Sequence, residues 1–434
     1  MTVGIATVAV LSHRAGYRLG GVMVLPLLAI YTFREPLSPI IFVVGAVTAW
    51  GALWGIREFT LNHGRRVFLI AIFTGACGTV LAGYAMDAFT LARLSFDDAE
   101  IVASIFPGIA AYNVMRLDRE DRPVDVVAMV AAFAGLLLLG AGVLVFFQGR
   151  AFPTPPVLTS PSSDILRWLG AEPSGGAMTP VTPNWLSLSL LVVDVVVYEW
   201  IRKRYDLRLV GIIVVPLLAV FSVRLEYTAA IFAIGVTAVF TLLTVIHWVS
   251  LLYGRVLLAC SLVCGSLYAL AIGVVIPYEV PGTLLFFVGL FVGIASYNLY
   301  YVSPSLRSAS LRISVGLFVV FYAVLALVVD IPPRGLFHDG EVGYVVLGAV
   351  AVAFAVVELS RLERSRPPRA EFARASVFAS VDIDGADAED SPLVDTPRRS
   401  WVASIYDSLP LDRATSGGGE CDRERARPDS DEGG

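Results

Sequence analysis

Residues 37–56, "LSPIIFVVGAVTAWGALWGI", run for a membrane's thickness without a single charge. At helical rise, about 20 apolar residues cross the hydrocarbon core of a bilayer. Blocks of similar length and character recur at 67–86, 124–147, 228–252, 256–276 and 309–329. No water reaches the backbone inside a bilayer, so a helix, which satisfies its own N–H and C=O groups, is the natural form. The strands of a membrane barrel would alternate polar and apolar side chains, and these blocks do not. The chain is 56% hydrophobic and only 16% charged, with a mean hydropathy of +0.74, whereas soluble domains are about a quarter charged.

The pattern predicts an all-α polytopic integral membrane protein with 12–13 transmembrane segments. They fall at 2–11, 20–33, 37–56, 67–86, 99–115, 124–147, 185–201, 209–223, 228–252, 256–276, 283–301, 309–329 and 342–358. The first is too short to span, and 20–33 and 209–223 are short and each contains a proline. Those two are expected as short tilted helices or as re-entrant hairpins buried in protein. Lys and Arg in short loops mark the cytoplasmic side. If every segment crosses, one side receives fifteen basic residues and the other six, and the C-terminus falls on the basic, cytoplasmic side. The expected localisation is therefore a cell membrane, with many crossings. Residues 360–434 hold sixteen acidic and eleven basic residues and few apolar ones. Such a composition predicts a disordered acidic tail, in which only "SWVASIYDSLPLD", 400–412, could serve as a docking peptide.

The chain also repeats itself. "FPGIAAYN" at 106–113 reappears as "FVGIASYN" at 291–298, and "RLGGVMVLPLLAIYTFR" from Arg18 as "RLVGIIVVPLLAVFSVR" from Arg208. The offset is 190 residues at Arg18 and 185 at Asn113, which a five-residue deletion in the loop near 87–98 explains. Two parallel six-segment repeats follow, 1–147 and 185–330. A Pro/Ser/Gly-rich extracytoplasmic linker, 148–184, joins them, and 331–359 adds an extra segment before the tail. Parallel repeats are related by an axis along the membrane normal, so function is expected where the copies meet, or twice over.

Three repeated stations carry candidate chemistry. The first is Arg14 and Arg18 with Gly21 and Pro26, mirrored by Arg204 and Arg208 with Gly211 and Pro216. Glycine and proline there predict a helix break whose freed N–H groups suit an anion, beside guanidinium forks that suit carboxylates. Anchoring to lipid headgroups is the competing role. The second station is His63, Gly64, Arg65 and Arg66, facing Tyr253, Gly254 and Arg255. The third is the phrase itself. Gly108 and Gly293 allow close helix contact, Asn113 and Asn298 close their segments, and Pro107 has no counterpart in the second copy, where Val292 stands. One residue is expensive. Asp194 lies within "LSLLVVDVVVYEW", where a carboxylate needs a polar cavity, a partner or a proton; its counterpart is Gly4.

No phosphate-binding Gly-rich loop ending in Lys-Ser/Thr is present, Cys77, Cys260, Cys264 and Cys421 have no zinc spacing, and no catalytic triad is legible. No catalytic residue, metal ligand or cofactor is expected, and nothing points to nucleic acid.

At "SHRAGYRLGGVMVLPLLA", "NHGRRVFLIAIFTGACGTVL" and "EIVASIFPGIAAYNVMRLDREDRPVDVV" each unit resembles the PgsC/CapC family, membrane subunits of poly-gamma-glutamate synthase. The matching residues are Arg14, Gly16, Gly21, Pro26, Gly64, Arg65, Arg66, Pro107, Gly108 and Asn113. In the second copy they are Arg204, Gly211, Pro216, Gly254, Arg255, Gly293 and Asn298, and Val256 replaces the second Arg of the turn. Family members are usually one unit long, so this chain resembles a fused pair. The resemblance implies a non-catalytic membrane partner for an ATP-dependent amide ligase that joins glutamates. It also implies contact with polyglutamate and with other synthase or export subunits, and a scaffolding, delivery or export role. Two other readings of the residues stand beside it: a stand-alone secondary transporter of a small anionic solute, and a structural membrane anchor whose tail recruits a soluble protein.

Overall fold

A computed structural model describes residues 2–34, 36–60, 65–88, 104–149, 182–275, 282–333, 335–336 and 342–365. Among them every regular element is helical. The first copy contains α1 (Thr2–Arg14), α2 (Val24–Arg34), α3 (Ser38–Phe59), α4 (Arg65–Ala88), α5 (Phe106–Met115) and α6 (Asp121–Gly149). The second contains α7 (Asn184–Tyr205), α8 (Val214–Arg224), α9 (Tyr227–Ser250), α10 (Gly254–Val275), α11 (Gly282–Tyr301) and α12 (Arg307–Val328), and α13 (Val342–Arg364) follows. Each predicted segment meets one of these thirteen helices. The docking peptide and most of the linker and tail lie outside the described residues. The last helix runs to Arg364, several residues past the predicted start of the tail at 360.

Eight helices are long and apolar enough to cross a bilayer: α3, α4, α6 and α9 to α13. The protein is thus a multi-pass membrane protein. α2 and α8 have 11 residues each, about 16 Å of helix against a core of about 30 Å. α7 is long but carries Asp194, Glu199 and the run Arg202, Lys203, Arg204.

Glycines set how closely the helices cross. A Cβ on Gly75 would lie 2.5 Å from the Gly108 nitrogen, and one on Gly108 would collide with the Ala71 carbonyl, so α4 and α5 touch backbone to backbone. Their repeat counterparts meet in the same way, with a Cβ on Gly293 lying 2.8 Å from the Ser261 carbonyl oxygen. Without a hydrophobic drive between helices in lipid, such close van der Waals contact is what holds them.

The copies share one core. Tyr31 of α2 meets Phe287 of α11 at 6.5 Å between ring centroids, and Phe221 of α8 stacks on Phe291 at 5.8 Å. The copies also touch where α1 lies against α10, and Ile72 of α4 shares a buried cluster with Ile105 and with Leu191 of α7. Two thirds of the α11 span is buried, against 6% of the α6 span, so α11 is central and α6 peripheral. Outward side chains such as Leu138 and Leu327 are apolar and exposed, as a surface solvated by lipid tails requires. α13 covers α12, with Ala355 against Gly316.

Candidate functional site

The site grows from the break between α1 and α2. Leu19, Gly20 and Gly21 have φ of 48°, 66° and 123°, a left-handed run that reverses the chain. Pro26 takes no part in this break; it sits buried in the first turn of α2, where a missing N–H costs nothing. A Cβ on Gly21 would lie 3.2 Å from the Asn113 amide nitrogen, so the turn and α5 fit only with glycine there.

The N–H groups freed by this break do not wait for an external anion, contrary to expectation from the sequence. Asp125 Oδ1, from α6, accepts from Arg18 N at 2.6 Å and Leu19 N at 3.1 Å. Asp125 is buried, and its Oδ2 has no hydrogen-bond partner. In the second copy the side chain of Ser314 accepts from Val210 N at 3.3 Å, and Ser310, the counterpart of Asp125, donates to the Arg208 carbonyl at 2.7 Å.

Asn113 ties three pieces together. Its Nδ2 donates to Gly20 O at 2.9 Å and to Ile109 O at 3.0 Å. Its Oδ1 accepts from Arg255 Nη2 at 3.0 Å, a bond from the second copy into the first. Arg255 lies within electrostatic reach of Arg18 and Arg116, which repel it, and of Asp125, which attracts it. The C-terminal carbonyls of α5 hold more arginine: Met115 O accepts from Arg57 Nη1 at 3.1 Å and Arg122 Nη2 at 3.2 Å. Cations suit a helix C-terminus. Arg116 lies 5.8 Å over the Tyr112 ring.

The second copy keeps the frame and changes the charges. Asn298 Nδ2 donates to Val210 O at 2.9 Å, and Arg307 donates to Val302 O and Tyr300 O as Arg122 does to Leu117 O and Met115 O. Tyr301 stands where the first copy has Arg116. Its hydroxyl accepts from Gly254 N at 3.0 Å, and Arg208 lies 5.9 Å from its ring. His247 replaces Arg57, with its Nδ1 2.9 Å from Leu252 O. Arg204 pairs with Glu363 at the end of α13, and Arg312 with the buried Glu358 at 3.0 Å.

Of the residues proposed from sequence, the structure brings Arg18, Asn113 and Arg255 together beside Gly21. Arg14 and Arg66 are exposed at the ends of α1 and α4, and Arg204 and Arg208 are engaged within the second copy. His63 lies outside the described residues, as does the Arg65 side chain. Pro107 opens α5, Gly108 and Gly293 mark the close crossings, and Gly211 and Pro216 repeat the turn and first-turn positions of Gly21 and Pro26. Asp194 is 1% exposed and neither carboxylate oxygen has a hydrogen-bond partner. Sequence reasoning missed Asp125, Arg57, Arg116, Arg122 and Arg307 as site residues. Arg122 and Arg307 share the 185-residue offset of the two asparagines, a signal that could have flagged them.

The profile of the capsule biosynthesis CapC family matches the chain twice, over residues 3–122 and 193–311, together more than half of its length. None of the curated proteins and none of the solved structures compared with it matches.

Proposed function

The chain belongs to the capsule biosynthesis CapC family, with two family units in one polypeptide and a membrane role in capsule synthesis, and from that premise we propose that it is the membrane subunit of a poly-gamma-glutamate synthase. In this reading it scaffolds an ATP-dependent amide ligase on its arginine-rich end and helps deliver the polyanion outward. It performs no bond chemistry itself. The observation that carries the reading is the gathering of Arg18, Arg57, Arg116, Arg122 and Arg255 around one helix end, α5. The arginine-rich end faces the cytoplasm and the tail leaves on that side, in keeping with the pairing of Glu363 to Arg204.

The physics of export favours such a gathering site. An inside-negative potential of 100 mV favours outward movement of each negative charge by about 2.3 kcal/mol. What a polyanion lacks is attraction to an apolar protein, and guanidinium groups supply it. The test is co-purification of the ligase with the membrane subunit, and polymer output from cells, for wild type and for Arg57→Gln with Arg122→Gln. Reduced recruitment or output with normal membrane insertion is expected. Full recruitment and output would overturn the reading, and anion flux through the chain alone in liposomes would favour the transporter reading instead.

A further inference from the structure

We propose that Arg18, Arg116 and Arg255 form a single carboxylate-binding site, built by both copies around Asn113, that the second copy has lost. The proposal rests on reading the arginine-rich end as the polymer's side and narrows that end to three side chains. Its ligand is a carboxylate-bearing chain, here the free carboxylates along polyglutamate.

Three facts support it. First, Arg255 is held within electrostatic reach of Arg18 and Arg116 although both repel it. Arg255 is tied to Asn113, whose amide also holds the Gly20 carbonyl two residues past Arg18, and Arg116 caps the helix that carries Asn113. Among the described residues none of the three takes part in an ion pair. Asp125, which attracts Arg255, spends Oδ1 on backbone N–H groups. Three like charges beside one carboxylate leave an excess that costs stability, and a bound anion offsets it.

Second, the second copy shows how this chain neutralises arginines when no ligand is needed. Arg204 has Glu363 and Arg312 has Glu358, both from α13. Third, charged positions around this end are replaced in the second copy: Arg116 becomes Tyr301, Asp125 becomes Ser310 and Arg57 becomes His247. Asn298, Arg307 and Gly211 are meanwhile kept. The frame is common to both copies and the charge belongs to one.

The test uses the full chain in nanodiscs of zwitterionic lipid and fluorescent poly-gamma-glutamate oligomers as probe. Arg18→Gln, Arg116→Gln and Arg255→Gln should each weaken oligomer binding about threefold to tenfold, since a charge-assisted contact at a water-accessible end is worth less than a buried one. The triple variant should abolish saturable binding. Arg208→Gln, the counterpart of Arg18→Gln, should change it less than twofold. Asp125→Asn keeps the Oδ1 acceptor and removes the negative charge that attracts Arg255, so it should tighten binding, an effect that a merely structural role for these residues would not give. Equal losses for Arg208→Gln and Arg18→Gln, or an unchanged triple variant, would overturn the site and leave the ligase-scaffold reading standing. Wild-type protein that binds no oligomer would overturn both the site and the polymer-handling part of that reading. Nanodiscs doped with anionic lipid give the second arm. If the arginine variants alter only the capture of that lipid, the site is a headgroup contact and the proposal fails.

Discussion

The bond between Asn113 and Arg255 is the one polar link between the copies at the arginine-rich end whose strength can be isolated. Asn113→Ala removes three hydrogen bonds, of 2.9, 3.0 and 3.0 Å. The Ile109 carbonyl remains within its helix ladder and loses little. The Gly20 carbonyl lies in a buried turn, and leaving it without a donor costs about 1–3 kcal/mol. The Arg255 contact is water-accessible, and its loss costs about 0–1 kcal/mol. Asn298→Ala strips the Val210 carbonyl in the same way, so the two single variants should lose similar stability. The discriminating quantity is a double-mutant cycle. Asn113→Ala with Arg255→Met should couple by about 0.5–1 kcal/mol, and Asn298→Ala with Arg255→Met by about zero. Reversible SDS unfolding of the purified protein, followed by tryptophan fluorescence, is the assay. A vanishing Asn113–Arg255 coupling, or an equal one for Asn298, would refute the inter-copy bond as a stabilising contact.

Gly108→Val should prevent accumulation of folded protein, since its side chain would collide with the Ala71 carbonyl, while Gly135→Ala, in open space, should leave expression and melting unchanged. Glu358→Gln weakens the hold of Arg312 on α13 and should cost about 1–2 kcal/mol, less than a fully buried pair because Arg312 can turn to water. Adding Arg312→Gln should recover part of that loss in the same unfolding assay. Asp194→Asn keeps the shape of a side chain that has no hydrogen-bond partner. It should preserve folding, and a loss of polymer output with normal ligase recruitment would identify Asp194 as a working acid rather than a packing residue.

The fold was legible because a bilayer allows few solutions. Uncharged stretches such as 37–56 leave the backbone only the helix, and the segment from Arg18 to Arg34, written again from Arg208, announces the duplication. The site was legible only in part. Asn113, Gly21 and Arg255 could be singled out because they recur. Asp125 could not, because its counterpart is Ser310 and the two do the same work with opposite hydrogen-bond polarity: a carboxylate accepts from the turn's N–H groups, whereas the Ser310 hydroxyl donates to its carbonyl. Arg116 was hidden for the complementary reason. Its value lies in what the second copy lacks, and a search for shared residues discards it.

That difference says what fusing two copies makes possible. Two identical single units would pack about an axis. In such a pair every arginine would occur twice, at equivalent places, and any helix that neutralised one set would neutralise the other. A single polypeptide escapes this constraint. Here α13 follows only the second copy, and its Glu358 and Glu363 reach Arg312 and Arg204. Among the described residues Arg18 and Arg116 form no such ion pair. Charge can therefore be withdrawn from one half, where it would compete for the same polyanion, and kept in the other. The inserted tyrosine at 301 completes the separation by occupying both the Gly254 N–H and the face of Arg208. One strong site and one silenced one give a polyanion a single point of attachment, which a symmetric pair of equal sites could not impose.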